Sequence, residues 1–175
     1  MPDVPPAELD AESMIAVLNR HEVSYIVIGG YAALLHGAST VTIDLDITPS
    51  SAPENLDRLS AALREMGAEL RASGVEVPLK IPLDRRTFEQ FPTFLNLRTE
   101  HGDLDISMNP SGPNGKTFDY EQLARSAVHI FLPEPVTLAS LDDIISSKRA
   151  AARPKDFVVL PILEELRDQL NRGSR

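Results

Sequence analysis

The tetrapeptide Asp-Leu-Asp-Ile occurs twice in this chain, at 44–47 and again at 103–106, and each copy sits in an apolar–polar alternation, VTIDLDI at 41–47 and GDLDIS at 102–107. Successive side chains of a strand leave on opposite faces, so a period of two is the mark of a half-buried strand. Each copy then turns two carboxylates to one face, roughly 6 to 7 Å apart along the chain. Pairing the two strands would gather three or four acids. At about 4 Å and an effective dielectric near 20, each like-charged pair costs on the order of 4 kcal/mol. Such a face calls for cations, and it commits the chain to a sheet with an acidic side.

Upstream, the apolar run SYIVIGG at 24–30 reads as a buried strand stopped by Gly29 and Gly30. YAALLHGA follows, rich in helix formers and closing at Gly37. Glycines between a strand and a helix let an anion approach free backbone N–H groups, although a tight turn is the commoner use of such a pair. Hard oxygen donors with room left for water and phosphate suit magnesium or manganese, two of which can clamp both oxygens of an in-line phosphoryl displacement. Glycines on one side and metal-binding carboxylates on the other would together hold a nucleoside triphosphate.

The rest of the chain reads as mixed α/β. ESMIAVLNRH spaces Met14, Ile15, Val17 and Leu18 as a helix does, and APENLDRLSAALREMG is the clearest helix, with Pro53 near its start, a Leu56, Leu59 and Leu63 stripe, and Gly67 after it. FLNLRTEHGDLDISM reads as a hairpin turning near Glu100 to Gly102. Residues 68–92 give no clear signal. DYEQLARSA is predicted as a short helix, VHIFL as a short strand, TLASLDDIISSKRAAAR as a longer helix broken by Pro154, and FVVLPILEELRDQL as the last helix. A single mixed-sheet domain is expected over 11–170, with 137–170 as its helical C-terminal part, a flexible segment at 1–10 and a tail at 171–175.

The 175 residues suffice for one core without disulfide or metal staples. The absence of cysteine excludes disulfides and zinc-thiolate sites, and a net charge of −9 argues against an extended nucleic-acid partner, while a short RNA end remains compatible. Neither a signal peptide nor an apolar run of membrane-spanning length is visible, so the expected location is the cytoplasm, without a membrane partner. Against this acidic background Lys148, Arg149, Arg153 and Lys155 fall within eight residues, a local exception that phosphate would explain.

Taken together, IGG, thirteen residues, then DLDI, with a later LDI strand, resembles the nucleotidyltransferase fold of the DNA polymerase β superfamily, in particular its small bacterial antibiotic and toxin–antitoxin members. SKRAAARPKDFVVLPIL is similar to a C-terminal segment of many of these proteins. The resemblance implies transfer of a nucleoside monophosphate from an NTP to a hydroxyl of an unidentified acceptor, with a possible toxin or antitoxin partner. It implies metal and catalytic roles for Asp44, Asp46 and Asp105, the last assisting deprotonation of the attacking hydroxyl. Nucleotide contacts are implied for Gly29, Gly30, Ser39, Lys148, Arg153 and Lys155. Relatives often carry arginine four residues before the first aspartate, where this chain has Thr40. Two alternatives are weighed beside it. A non-catalytic, toxin-neutralising protein of the same fold would not turn over nucleotide, and a haloacid-dehalogenase-like phosphatase would use Asp44 of DLDIT as nucleophile. His36 is expected to be packed or capping, and Tyr31 either packs or stacks on a base.

Overall fold

A computed structural model describes residues 8–75, 77–90 and 94–173. The proline-rich start at 1–7 and the final two residues lie outside the described residues. The chain runs α1 (Ala11–Arg20), β1 (Tyr25–Ile28), α2 (Gly29–Leu35), β2 (Asp44–Pro49), α3 (Pro53–Glu65), β3 (Glu69–Leu70), α4 (Arg85–Gln90), β4 (Phe94–Thr99), β5 (Gly102–Ser107), α5 (Tyr120–Ala124), β6 (Val128–Leu132), β7 (Glu134–Leu138), α6 (Leu141–Ala151) and α7 (Pro154–Gly173). Its strands form one mixed sheet in the order β3-β4-β5-β2-β1-β7-β6. The α/β class expected from the alternations is therefore the class found.

The centre of the sheet is set by β2. It runs antiparallel to β1, with Ile28 opposite Asp46, and parallel to β5, with Asp44 beside Asp103 and Asp46 beside Asp105. This register puts every Leu and Ile of the two tetrapeptides on the opposite face, where Leu45, Ile47, Leu104 and Ile106 are all fully buried. Each such burial is worth about 1.5–3 kcal/mol, and a slip of one residue would exchange those side chains for carboxylates. The register is fixed by that penalty. Helices α1 and α3 pack on each other, α1 against β7 and α3 against β2. Their buried stripes, Met14, Ile15 and Leu18 in the first and Leu56, Leu59 and Leu63 in the second, join the same core.

Several expectations needed correction. The alternation from Val41 does not become strand until Asp44: the chain bends at Ile43, and β1 has already turned into α2 opposite Asp46. Residues 41–43 therefore stay without strand partners. The helix expected from Thr137 starts at Leu141, capped by Ser140, whose hydroxyl accepts from the Asp143 N–H at 3.1 Å. Thr137 and Leu138 end β7, which pairs with β6 and meets β1 through Val27 and Leu138. The unread stretch 68–92 contains β3, two residues long, and α4. The last helix starts earlier than read, at Pro154, and carries Pro161 in its interior.

Candidate active site

The backbone turns from β1 into α2 at Gly29, with φ of +67°, a conformation only glycine adopts freely. A Cβ there would lie 2.7 Å from the carboxyl carbon of Asp46. Gly30 is confined as well, though less, since its Cβ would meet Thr42 Oγ1 at 2.8 Å. Both glycines thus allow the start of α2 to sit directly against the acidic strand. Thr42 in turn reaches Asp44, its hydroxyl 3.0 Å from Oδ1 and 3.1 Å from the backbone oxygen.

Asp44, Asp46 and Asp105 line one cleft of about 600 Å³ together with Gly29 and Gly30. Burial pushes Asp46 up to about 7, repulsion from Asp44 and Asp105 adds to this, and Lys155 and Lys148 oppose it. Burial likewise raises Asp105 to about 6 against the pull of Arg71, with Asp44 and Asp103 adding repulsion. The mutual influence of these groups places them within electrostatic reach of one another. A divalent cation would relieve that repulsion, and an all-oxygen donor set suits magnesium or manganese. The residues fit such an ion. Among the described residues, however, no three acidic or histidine side chains already converge into a preformed cage.

One reason is Arg71, which no local pattern singles out. Its Nη2 donates to Asp105 Oδ1 at 2.7 Å and its Nη1 lies 3.0 Å from Asp103 Oδ2, so a single guanidinium spans both acids of β5. Arg98 Nε donates to Asp103 at 3.1 Å, which makes Asp103 a structural ion-pair partner. With its amide nitrogen turned toward Asp105, Asn96 donates to both carboxylate oxygens at 3.2 Å. Arg71 follows β3 and Asn96 lies on β4; only the sheet order β3-β4-β5 brings them to Asp105. A local pattern carries no trace of that order.

The same cleft also has a basic lining. Lys148, near the end of α6, and Arg153 and Lys155, at the start of α7, line the same cleft. Beneath them Asp156 is fully buried. It accepts from Lys148 Nζ at 3.3 Å, from Arg153 Nε at 2.8 Å and Nη2 at 3.3 Å, and from the Arg153 backbone N–H at 3.2 Å. Burial alone would raise Asp156, but the bond and charge of Arg153, with Lys148, outweigh it and hold the carboxyl below its usual range. Arg149 faces elsewhere, bonded to Glu164 at 2.6 Å and 3.1 Å.

Apolar side chains share the cleft lining: Val41 and Ile43, on the unpaired stretch before β2, are 88% and 76% exposed, and Phe94 and Val159 line it with them. Ser39 is exposed on the same loop but is not part of the cleft wall, where Thr40 and Thr42 stand instead. His36 packs, its Nε2 lying 2.8 Å from the Ala139 carbonyl oxygen, and Tyr31 packs against the core.

This sheet, with its two-glycine turn against paired aspartates, is the nucleotidyltransferase fold. Among solved structures the chain is similar to the lincosamide antibiotic adenylyltransferase LnuA in its lincomycin-bound form, at 12% identity and a TM-score of 0.58, over 91% of this chain and 99% of that one. It is also similar to the antibiotic-resistance factor ANT(2'')-Ia, solved in complex with adenylyl-2''-tobramycin, at 14% identity and a TM-score of 0.51, over 94% and 96% of the two chains. No family model and no curated protein matches the chain. Among the described residues no helix is long and apolar enough to cross a membrane.

Proposed function

We propose that the protein is a nucleotidyltransferase that moves a nucleoside monophosphate from an NTP to a hydroxyl of a small acceptor. The observation that carries this reading is that Asp44, Asp46 and Asp105 line the same cleft as Lys148, Arg153 and Lys155, with Lys155 and Lys148 close enough to act on the Asp46 carboxyl. Acids alone repel a triphosphate, and bases alone would bind any anion. The two together suit a polyanion that arrives with a divalent cation.

The acceptor oxygen attacks the α-phosphorus, the bond from that phosphorus to the bridging oxygen of the β-phosphate breaks, and pyrophosphate leaves. Asp105, which lines the cleft with Asp44 and Asp46, would take the proton of the attacking hydroxyl. Arg71 and Asn96 orient it, and Arg71 moderates its basicity. Lys148, Arg153 and Lys155 offset charge on the phosphates and the departing pyrophosphate. Gly29 and Gly30 bring the start of α2 against Asp46 and Thr42, so that the backbone at this turn lines the same cleft as the acids. Magnesium or manganese held by Asp44, Asp46 and Asp105 would neutralise phosphate charge and acidify the acceptor hydroxyl. The exposed apolar side chains of Val41, Ile43 and Phe94, sharing one cleft with the acids, favour a compact, uncharged or cationic acceptor over a nucleic acid.

The test uses each NTP labelled at the α- or the γ-phosphate, incubated with magnesium and a cell extract. Expected is label in an acceptor from one α-labelled NTP, none from its γ-labelled form, and none with Asp46→Asn. Label retained on the protein at Asp44, or transfer from the γ-phosphate, contradicts the reading.

A further inference from the structure

A buried carboxylate costs desolvation, so what Asp156 obtains in return identifies its task. Arg153 precedes the first residue of α7 and Asp156 is the third residue of that helix, so the bond from the Arg153 backbone N–H to Asp156 Oδ2 is one half of a capping arrangement. Capping explains that single bond. It does not need a charged group, nor complete burial, and an asparagine would accept the same N–H. The remaining bonds all go to cations of the cleft wall: Lys148 through one ammonium proton, Arg153 through the Nε and Nη2 sides of its fork. The grip leaves Arg153 Nη1 and two protons of Lys148 directed elsewhere, and both residues line the cleft that holds Asp44 and Asp46.

We infer that Asp156 is the positioning residue of the basic wall: it anchors Lys148 and Arg153 from beneath, so that their remaining donors meet the phosphates of the nucleotide. This inference rests on the nucleotidyltransferase reading. Its alternative is a plain structural role, in which Asp156 neutralises two cations and contributes nothing to ligand geometry. The two roles predict opposite signs. Replacing the carboxylate by an amide makes the cleft wall more positive by one charge, and simple electrostatics then predicts tighter binding of a polyanion. Loss of positioning predicts weaker binding, because two long side chains must be ordered at the ligand's expense.

Calorimetric titrations with magnesium tripolyphosphate and with each of the four magnesium NTPs separate these outcomes. Asp156→Asn keeps the cap acceptor, and Arg153→Lys keeps the charge while losing the two-point grip. Expected is an affinity about tenfold lower for the bound probes in Asp156→Asn, the scale of losing well-aligned charge-assisted hydrogen bonds. Arg153→Lys should fall in the same direction, with the near-ultraviolet circular dichroism of the wild type retained. Unchanged or tighter binding in a folded Asp156→Asn overturns the inference. Should that variant not fold, Arg153→Lys decides, and an unchanged affinity there overturns it equally. A wild type that binds none of the probes overturns the nucleotide reading itself, and the role of Asp156 with it; binding by the wild type with unaltered variants removes only Asp156.

Discussion

Gly29 and Asp46 constrain each other, and the constraint is testable. Gly29→Ala combines a φ of +67° with a methyl group 2.7 Å from the Asp46 carboxyl carbon, and the left-handed backbone alone costs about 1–2 kcal/mol for a residue with a Cβ. Gly37→Ala has a φ of +99° and nothing within 4 Å of its Cβ. Both substitutions should lower the melting temperature, whereas only Gly29→Ala should also abolish nucleotide binding in a calorimetric titration. A second prediction concerns pH. Asp46 and Asp105 titrate near 7 and 6 instead of 3.8, so the folded state favours their protonated forms. Their contribution to stability is fully present below about 3.8 and is lost as pH rises through 6 to 7. In chelator, Asp46→Asn should therefore melt above the wild type at pH 8, and the gap should shrink toward zero near pH 4. A gap that is constant with pH would show that Asp46 carries no such penalty. These aspartates and glycines were legible because alternation and punctuation are local signals. Arg71, Asn96 and Asp156 were not, since their meaning comes from partners on other elements.

Among the elements, α3 was readable because its Leu56, Leu59 and Leu63 stripe, early proline and following glycine agree, and all three leucines are buried. By contrast β7 is flanked and interrupted by Pro133 and Pro135, and its last residues run into the Ser140 cap, so its pattern merged with the following helix. A two-residue strand such as β3 has no periodicity to read. The α6–α7 junction carries a further signature: Ala152, the C-cap of α6, stands at φ 47° and ψ 35°, left-handed and without being glycine. Tertiary contacts maintain it, because the turn brings Arg153 and Lys148 to Asp156. Ala152→Gly should relieve about 1 kcal/mol of strain, partly offset by the greater freedom of glycine in the unfolded chain. Thermal melts should rise by roughly 1 °C, and a fall would mean that the methyl group makes a packing contribution larger than the strain.

At the scale of the whole molecule, a net charge of −9 belongs to the surface, while the cleft opposes acids and bases within one cavity. Composition spoke only for the average, and the basic exception at 148–155 was visible because it is contiguous in sequence. The register of two parallel strands far apart in the chain then assembled the acids, which the repeated tetrapeptide anticipated but could not place beside Arg71. On the proposed reading, the acidic and basic side chains of the cleft act jointly on a nucleotide with its divalent cation. Calorimetry with magnesium present, titrating each NTP into the wild type and Asp46→Asn, tests this most directly. One NTP should bind the wild type, lose its affinity when magnesium is chelated, and show no measurable binding to a folded Asp46→Asn. Equal binding to both proteins, or binding indifferent to magnesium, would contradict the claim.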